Sequence, residues 1–378
     1  MKDVFRSFFR SSGICLIAVM VLGLTVLHAQ TRVPTYRVDP SWPKELPNNW
    51  IIGQVGGLTV DSHNNIWVYH RPRSCTPDEL GAVQTPPRSM CCAPAPSVLE
   101  FDQNGKLLQS WGGPGHIKDW FDNEHGIRVD KAGNVWLGGN GDSDRQIMKF
   151  TNDGKLLMQI GHHSTVPENN QDTSILGRPA GMDLDEAAHE IYIADGYMNK
   201  RIVVYDSENG KFKRGWGAYG IPLSQIDNTF PVPAYKPSDP KDKQFRNPTH
   251  CVHISNDGLV YVCDRQNDRV QIFHKDGKFV KEFFLRPETL GSGSDWDMVF
   301  STDKEQTYLL IADGTNNVIW TVKRSDGTVV GSTGHAGRNA GQFHWVHQIG
   351  TDSQGNLYTG EVDTGKRVQK FKPVAKRD

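Results

Sequence analysis

VLEFDQNGKLLQSWG (98–112), IMKFTNDGKLLMQIG (147–161), IVVYDSENGKFKRGWG (202–217) and VQIFHKDGKFVKEFF (270–284) are copies of one pattern, and VIWTVKRSDGTVVGSTG (318–334) is a looser fifth. Each opens on an apolar strand, turns at Asn-Gly or Asp-Gly, and runs back as a second strand. Such dipeptides supply the backbone that a tight hairpin needs. A second pattern precedes each copy: GLTVDSHNNIWVY (57–69), GIRVDKAGNVWLG (126–138), GMDLDEAAHEIYIAD (181–195), CVHISNDGLVYVCD (251–264), MVFSTDKEQTYLLIAD (298–313) and IGTDSQGNLYTGE (349–361).

Together these make six four-stranded units of about 40 to 50 residues, the period of a propeller blade. The last unit reaches its third strand, RVQKFKP (367–373), and then the chain ends. An orphan strand, TYRVDPSW (35–42), lies near the other end. The spacing therefore predicts an all-β, six-bladed propeller over 35–372, with the N-terminal strand closing the last blade. Closure removes two exposed sheet edges. A β-sandwich needs no internal repeat, and a solenoid needs no displaced strand. Three segments break the period: 72–96, 162–178 and 218–246. Insertions in repeat proteins map to loops, often on the binding face.

The first 29 residues have another composition. Lys2, Arg6 and Arg10 precede an apolar run over 14–27, and Ala29 supplies a small residue for cleavage. This reads as a secretory signal peptide, too short for a spanning helix, and places the mature chain in a secreted or periplasmic setting. A formal net charge of -1 gives no reason to expect nucleic acid or an acidic membrane surface as partner. Five cysteines follow the leader: Cys75, Cys91, Cys92, Cys251 and Cys263. Disulfides persist outside the cytosol. Cys251 and Cys263 flank the turn 256–258 symmetrically and suit a cross-strand bridge. Cys75 is expected to pair with Cys91 or Cys92.

One residue type recurs at one slot of the repeat. His125, His250 and His347 each stand eight positions before a turn glycine: Gly133, Gly258 and Gly355. The slot is the start of strand one, which lines a propeller's channel. The three histidines belong to blades two, four and six, so they converge from three sides. Three histidines with an open fourth position are a catalytic form of zinc ligation, although other divalent metals also accept imidazole. Histidines that line the channel and bind only water are the plainer reading. The residues just after strand two fall on the same face: Tyr69-His70-Arg71, Asp195-Gly196-Tyr197, Asp264-Arg265 and Glu361. Arginines there suit an anionic or carbonyl-bearing substrate. A tyrosine beside a divalent cation can accept a proton. Asp268-Arg269 reads as an Asp–Arg pair internal to a blade.

The stretches IWVYHRPR (66–73), NEHGIRVDKAGNVW (123–136), IYIADGYMNKRIVVYD (191–206), NPTHCVHISNDGLVYVCDRQNDRVQIF (247–273) and VHQIGTDSQGNLYTGEV (346–362) resemble the peptidyl-α-hydroxyglycine α-amidating lyases. That family is a six-bladed NHL-repeat propeller. The resemblance implies Zn2+ held by His125, His250 and His347, Tyr197 and Arg71 as catalytic residues, and Arg265 as a substrate-binding arginine. It implies cleavage of a carbinolamide C–N bond to an amide and glyoxylate, with a small-molecule or peptide substrate. The chain departs from the family at three places. Gln348 replaces an acidic residue tied to a structural Ca2+, Met198 replaces a cysteine, and the insertion 72–96 has no counterpart and reads as a lid. Two rival functions use the same fold. One is a non-catalytic NHL scaffold that binds a protein or glycan on its loop face. The other is a different metal-dependent propeller hydrolase or lactonase, whose Glu, Asn and Asp ligands contrast with the histidines here.

Overall fold

The computed structural model describes residues 32–167, 169–237 and 241–374; the leader expected over 1–29 lies outside them. Six four-stranded antiparallel sheets follow one another along the chain. Blade one is Gln54–Val60, Ile66–Arg71, Val98–Phe101 and Leu107–Trp111. Blade two is Glu124–Val129, Val135–Gly139, Gln146–Phe150 and Leu156–Gly161. Blade three is Gly181–Asp185, Glu190–Asp195, Arg201–Asp206 and Phe212–Trp216. Blade four is Thr249–Ile254, Val260–Asp264, Arg269–Phe273 and Phe279–Phe284. Blade five is Asp297–Phe300, Tyr308–Asp313, Val318–Lys323 and Val329–Thr333. Blade six takes Val346–Thr351, Leu357–Glu361 and Val368–Pro373 from the C-terminal end and Tyr36–Asp39 from the N-terminal end. The closing strand pairs antiparallel with the last, Val38 opposite Phe371, and Lys372 bridges Asp39 at 2.7 Å.

The hairpin glycines have two jobs. Gly154 and Gly277 sit at φ 91° and 89°, where only glycine rests without strain. A side chain there would also strike the preceding blade, because a Cβ on Gly154 would meet Trp111 at 2.7 Å and one on Gly277 would meet Trp216 at 2.7 Å. Those tryptophans fill the gaps between blades, packing on Phe150 and Phe273 with ring centroids 5.4 and 5.9 Å away. The Asp-Gly turn thus serves the hairpin and the interblade core together.

Three arginines, Arg201 and Arg269 buried and Arg367 half-buried, organise the loops of one face. Arg201 pairs with Asp195 at 2.8 Å and donates to the carbonyls of Asn170, Asp172 and Ile175, anchoring the second insertion. Arg269 pairs with Asp264 at 2.7 Å and donates to the carbonyls of Asp242 and Gln244 in the third. Arg367 pairs with Glu361 at 2.6 Å and holds the carbonyls of Arg338 and Gln342. The expected pairing of Asp268 with Arg269 is therefore corrected. The antiparallel register sets Asp264 directly opposite Arg269, and that carboxylate takes the guanidinium.

The first insertion is tied down at both ends. Ala93–Pro94 forms a short parallel pair with Trp50–Ile51, and Glu79 bridges Lys366 of blade six at 2.6 Å. Cys251 and Cys263 face each other across two paired strands and are bonded. The other cysteine expectation changes. Cys91 bonds its neighbour Cys92, and Cys75 is a buried free thiol.

Candidate metal centre

Counting along each first strand places six residues at one level of the channel: Gly56, His125, Ala180, His250, Trp296 and His347. The alternation read from sequence becomes a convergence. The three imidazole rings lie 4.8 to 5.1 Å apart by centroid and are steeply inclined to one another. Each offers a ring nitrogen within 4.8 Å of the other two. All three are buried, and burial holds their basicity well below the usual histidine range, so they are neutral at physiological pH.

The residues between them set their tautomers. His125 Nδ1 donates to the Ala180 carbonyl at 2.8 Å, and His250 Nδ1 donates to the Trp296 carbonyl. Each acceptor is the slot residue of the next blade. With Nδ1 protonated, Nε2 carries the lone pair and points at the channel axis. Backbone carbonyls behind ligating histidines are a recurrent outer shell of metal sites. His347 Nδ1 is buried without a hydrogen bond among the described residues. Three neutral imidazoles, two with a fixed lone pair, fit a zinc-class cation with one position left open.

Tyr197 supplies the group nearest that position. Its hydroxyl lies 2.8 Å from His125 Nε2 and 3.3 Å from His250 Nε2. Its backbone is set by the second insertion, since Tyr197 N bonds the Arg178 carbonyl at 3.2 Å and Met198 N bonds the Gly177 carbonyl at 2.9 Å. Arg71 and Arg265 complete the ring of charge. Burial lowers the basicity of both guanidiniums, and the charge of Tyr197 pulls each the other way. Arg71 donates from Nε to the Glu124 carbonyl and from Nη1 to Gln54 Oε1, both at 2.7 Å. Arg265 stacks over Trp296 at 4.3 Å. The structure thus brings His125, His250, His347 and Tyr197 into contact, with Arg71 and Arg265 within electrostatic reach of Tyr197.

Other residues singled out from sequence have structural partners. His70 accepts from Gly53 N at 3.0 Å and donates to the Pro96 carbonyl at 2.9 Å, tying the approach to the first strand of blade one to the end of the first insertion. Asp195, Asp264 and Glu361 hold the three loop arginines. Sequence reasoning missed Gln54, Glu124 and Trp296. Glu124 accepts from Ser97 and Trp120, each at 3.0 Å, and so braces the strand that carries His125. Trp296 lies between His250 and His347, with ring centroids 6.1 and 5.7 Å away. Its position in the histidine slot of blade five was countable. The partnership of Gln54 with Arg71 carries no sequence signature.

Below the histidines the channel narrows to a cavity of about 20 Å³ bordered by Gly126, Val252, Asp297 and Gln348. Gln348 supplies no carboxylate for the structural Ca2+ that the resemblance left in doubt. The acid at this level, Asp297, already accepts from His253 at 2.8 Å and from Ile349 N at 3.0 Å. These residues do not match a calcium shell built on an acid after the third histidine. Near His253 and Asp297, the sulfur of Cys251 is committed to Cys263.

No protein-family model matches the chain. Peptidyl-glycine alpha-amidating monooxygenase B of Xenopus laevis is 26% identical over 353 residues, covering 89% of this chain and 35% of the relative. Peptidyl-alpha-hydroxyglycine alpha-amidating lyase 1 of Drosophila melanogaster is 27% identical, covering 66% of this chain and 42% of the relative. Human NHL repeat-containing protein 3 is 25% identical, covering 90% of this chain and 84% of the relative. The chain spans about a third of the length of the amidating monooxygenases it matches over most of its own length. A solved streptogramin B lyase shares the fold, with a TM-score of 0.50 at 13% identity, covering 90% of this chain and 98% of the other. The chain is a six-bladed NHL-type propeller that resembles the peptidyl-α-hydroxyglycine α-amidating lyases.

Proposed function

We propose that the protein is an exported, metal-dependent lyase that cleaves the C–N bond of a peptidyl-α-hydroxyglycine-like carbinolamide to an amide and glyoxylate. The observation that carries the reading is the Tyr197 hydroxyl, in hydrogen-bond reach of two of three converging histidines. His125, His250 and His347 would hold the metal, with Zn2+ the expected ion. Bound there, zinc supplies a Lewis acid that acidifies a nearby hydroxyl.

The chain's own residues do the rest. Arg71 and Arg265 grip the substrate carboxylate, which guanidinium groups fork well. Their grip sets the carbinol hydroxyl against Tyr197. Tyr197 starts as the phenolate, takes the hydroxyl proton as general base and becomes the neutral phenol. The alkoxide electrons form the aldehyde C=O bond, the C–N bond breaks, and its electron pair leaves on the amide nitrogen. Tyr197 returns the proton to that nitrogen, so atoms and charge balance. The two arginines stay on the glyoxylate carboxylate until it leaves.

The two disulfides fit an oxidising compartment, in keeping with the leader read over 1–29. The test is product analysis. Purified protein with an α-hydroxyglycine-ended peptide should release glyoxylate and peptide amide in equal amounts. Amide without glyoxylate, or neither product, removes the lyase reading. The similarity to NHL repeat-containing protein 3 supports the second reading, a binding propeller, which yields no product and tolerates loss of Tyr197.

A further inference from the structure

Blades three and four hold their outgoing loops with the same position of the repeat. Asn199-Lys200-Arg201 follows strand two of blade three, and Asn267-Asp268-Arg269 follows strand two of blade four. Asn199 donates to Asp195 and Asn267 to Asp264, both at 2.8 Å, and each arginine pairs with the same carboxylate. The middle residues, Lys200 and Asp268, are therefore equivalent in place but opposite in charge. The Lys200 ammonium reaches forward and donates to the carbonyls of Asp227 and Thr229 at 3.0 and 2.9 Å. A cation thereby ties the loop after blade three to the blade.

The loop after blade four lacks that cation and gains an acid. The Asp268 carbonyl accepts from Leu285 N at 2.8 Å, Ser294 Oγ donates to the Leu285 carbonyl, and Asp295 is next in the chain. Asp268 and Asp295 are both 0% exposed. None of their four carboxylate oxygens has a hydrogen-bond partner among the described residues. Ser294 lies beside Asp268 without reaching hydrogen-bond geometry. Arg265 feels Asp295 but leaves its oxygens unpaired. The other acids nearby are satisfied: Asp264 by Arg269 and Asn267, Asp313 by Asn316 and Trp320. A buried carboxylate without a partner is costly, and two together are costlier. Burial pushes the Asp268 carboxyl up to about 8 and Asp295 well above the usual range, the charge of Asp268 adding to the latter.

We propose that Asp268 and Asp295 bind a calcium-class divalent cation that fastens the loop after blade four. Paired carboxylates with loop carbonyl and hydroxyl oxygens are the donors such hard cations take. The ion would do from outside what the Lys200 ammonium does within the chain. The loop it fastens leads into Trp296, whose carbonyl holds His250 and whose ring carries Arg265. The site is distinct from the three histidines and stands whether or not the lyase reading holds.

The test uses the full chain after gel filtration into calcium-free buffer, with calcium chloride as probe. The wild type should retain or rebind one calcium per chain and melt higher with calcium. At calcium 100 times its dissociation constant, the folding equilibrium rises about 100-fold. Asp268→Lys should bind no calcium, melt independently of it, and match or exceed the calcium-free wild type. A wild type indifferent to calcium overturns the proposal, as does an Asp268→Lys chain that still responds; the two carboxyls then simply hold protons. If Asp268→Lys does not fold, Asp295→Asn decides. Loss of the calcium response supports the site, and an unchanged response overturns it.

Discussion

Replacing Asp195 by Asn tests how the fold holds the candidate base. Asp195 Oδ1 accepts from Gly177 N at 2.6 Å, and Oδ2 accepts from Arg201 Nε and Asn199 Nδ2, each at 2.8 Å. Both side chains of the ion pair are 0% exposed. Asn matches Asp in shape but offers one acceptor and one donor. Facing its oxygen to Gly177 sets its NH2 against two other donors, and flipping it opposes the Gly177 amide. Either way the Arg201 guanidinium loses its counter-charge in a buried place, which costs about 3 to 5 kcal/mol. Unfolding entropy is about 2.1 cal/mol/K per residue, or about 0.7 kcal/mol/K for a propeller of about 340 residues, so the melting midpoint should fall by about 4 to 7 °C. The Gly177 segment also sets the Tyr197 backbone, so glyoxylate release should fall while metal content holds. Calorimetry beside product and metal assays reads all three. A midpoint shift below about 2 °C would refute the reasoning, because the guanidinium would then have to be solvated.

Other consequences can be checked separately. Tyr197→Phe should lower turnover by about 10²- to 10⁴-fold, the usual worth of a positioned general base, with metal content unchanged in elemental analysis. Replacing Cys251 and Cys263 together by Ala should cost about 3 kcal/mol in denaturant unfolding, because their bond closes a loop of sequence separation 12. Glu190 is held down to about 2, first by its hydrogen bond with Arg214. Its folded value lies below the unfolded one near 4.3, so its contribution is full above that pH and fades as pH falls toward 2. Glu190→Gln should therefore flatten the loss of melting temperature between about pH 4.5 and pH 2, and an unchanged acid limb would count against it.

The blades and the histidine triad were legible because both rest on periodicity. The Asp-Gly turns at Gly154, Gly277 and Gly327 repeat in sequence for the reason they repeat in space, namely a positive φ and an aromatic ring packed against the turn. The slot of His125, His250 and His347 follows from counting. The supports behind the site were not legible. Ala180 and Trp296 act through backbone carbonyls, which no side-chain identity reports. Gln54 reaches Arg71 across two strands whose register has a bulge between Val55 and Gly57, so alternation alone does not predict the meeting. Cys75 looked like a partner because adjacent cysteines rarely bond, but Cys91 bonds Cys92 and the Cys75 thiol is buried and free. Asp268 looked paired with Arg269 by adjacency, but Asp268 stands in a left-handed turn just before the strand that begins at Arg269. The register gave Arg269 to Asp264, while the Asp268 carbonyl accepts from Leu285 N of the next loop.

The account rests most on metal held by three histidines. Its most direct test is the metal content of the purified chain beside His125→Ala and His347→Ala variants of matched melting temperature. The account predicts about one zinc per wild-type chain, with zinc and glyoxylate release lost together in both variants. A metal-free wild type that still releases glyoxylate, or a His125→Ala chain that holds zinc as well as wild type, would contradict it.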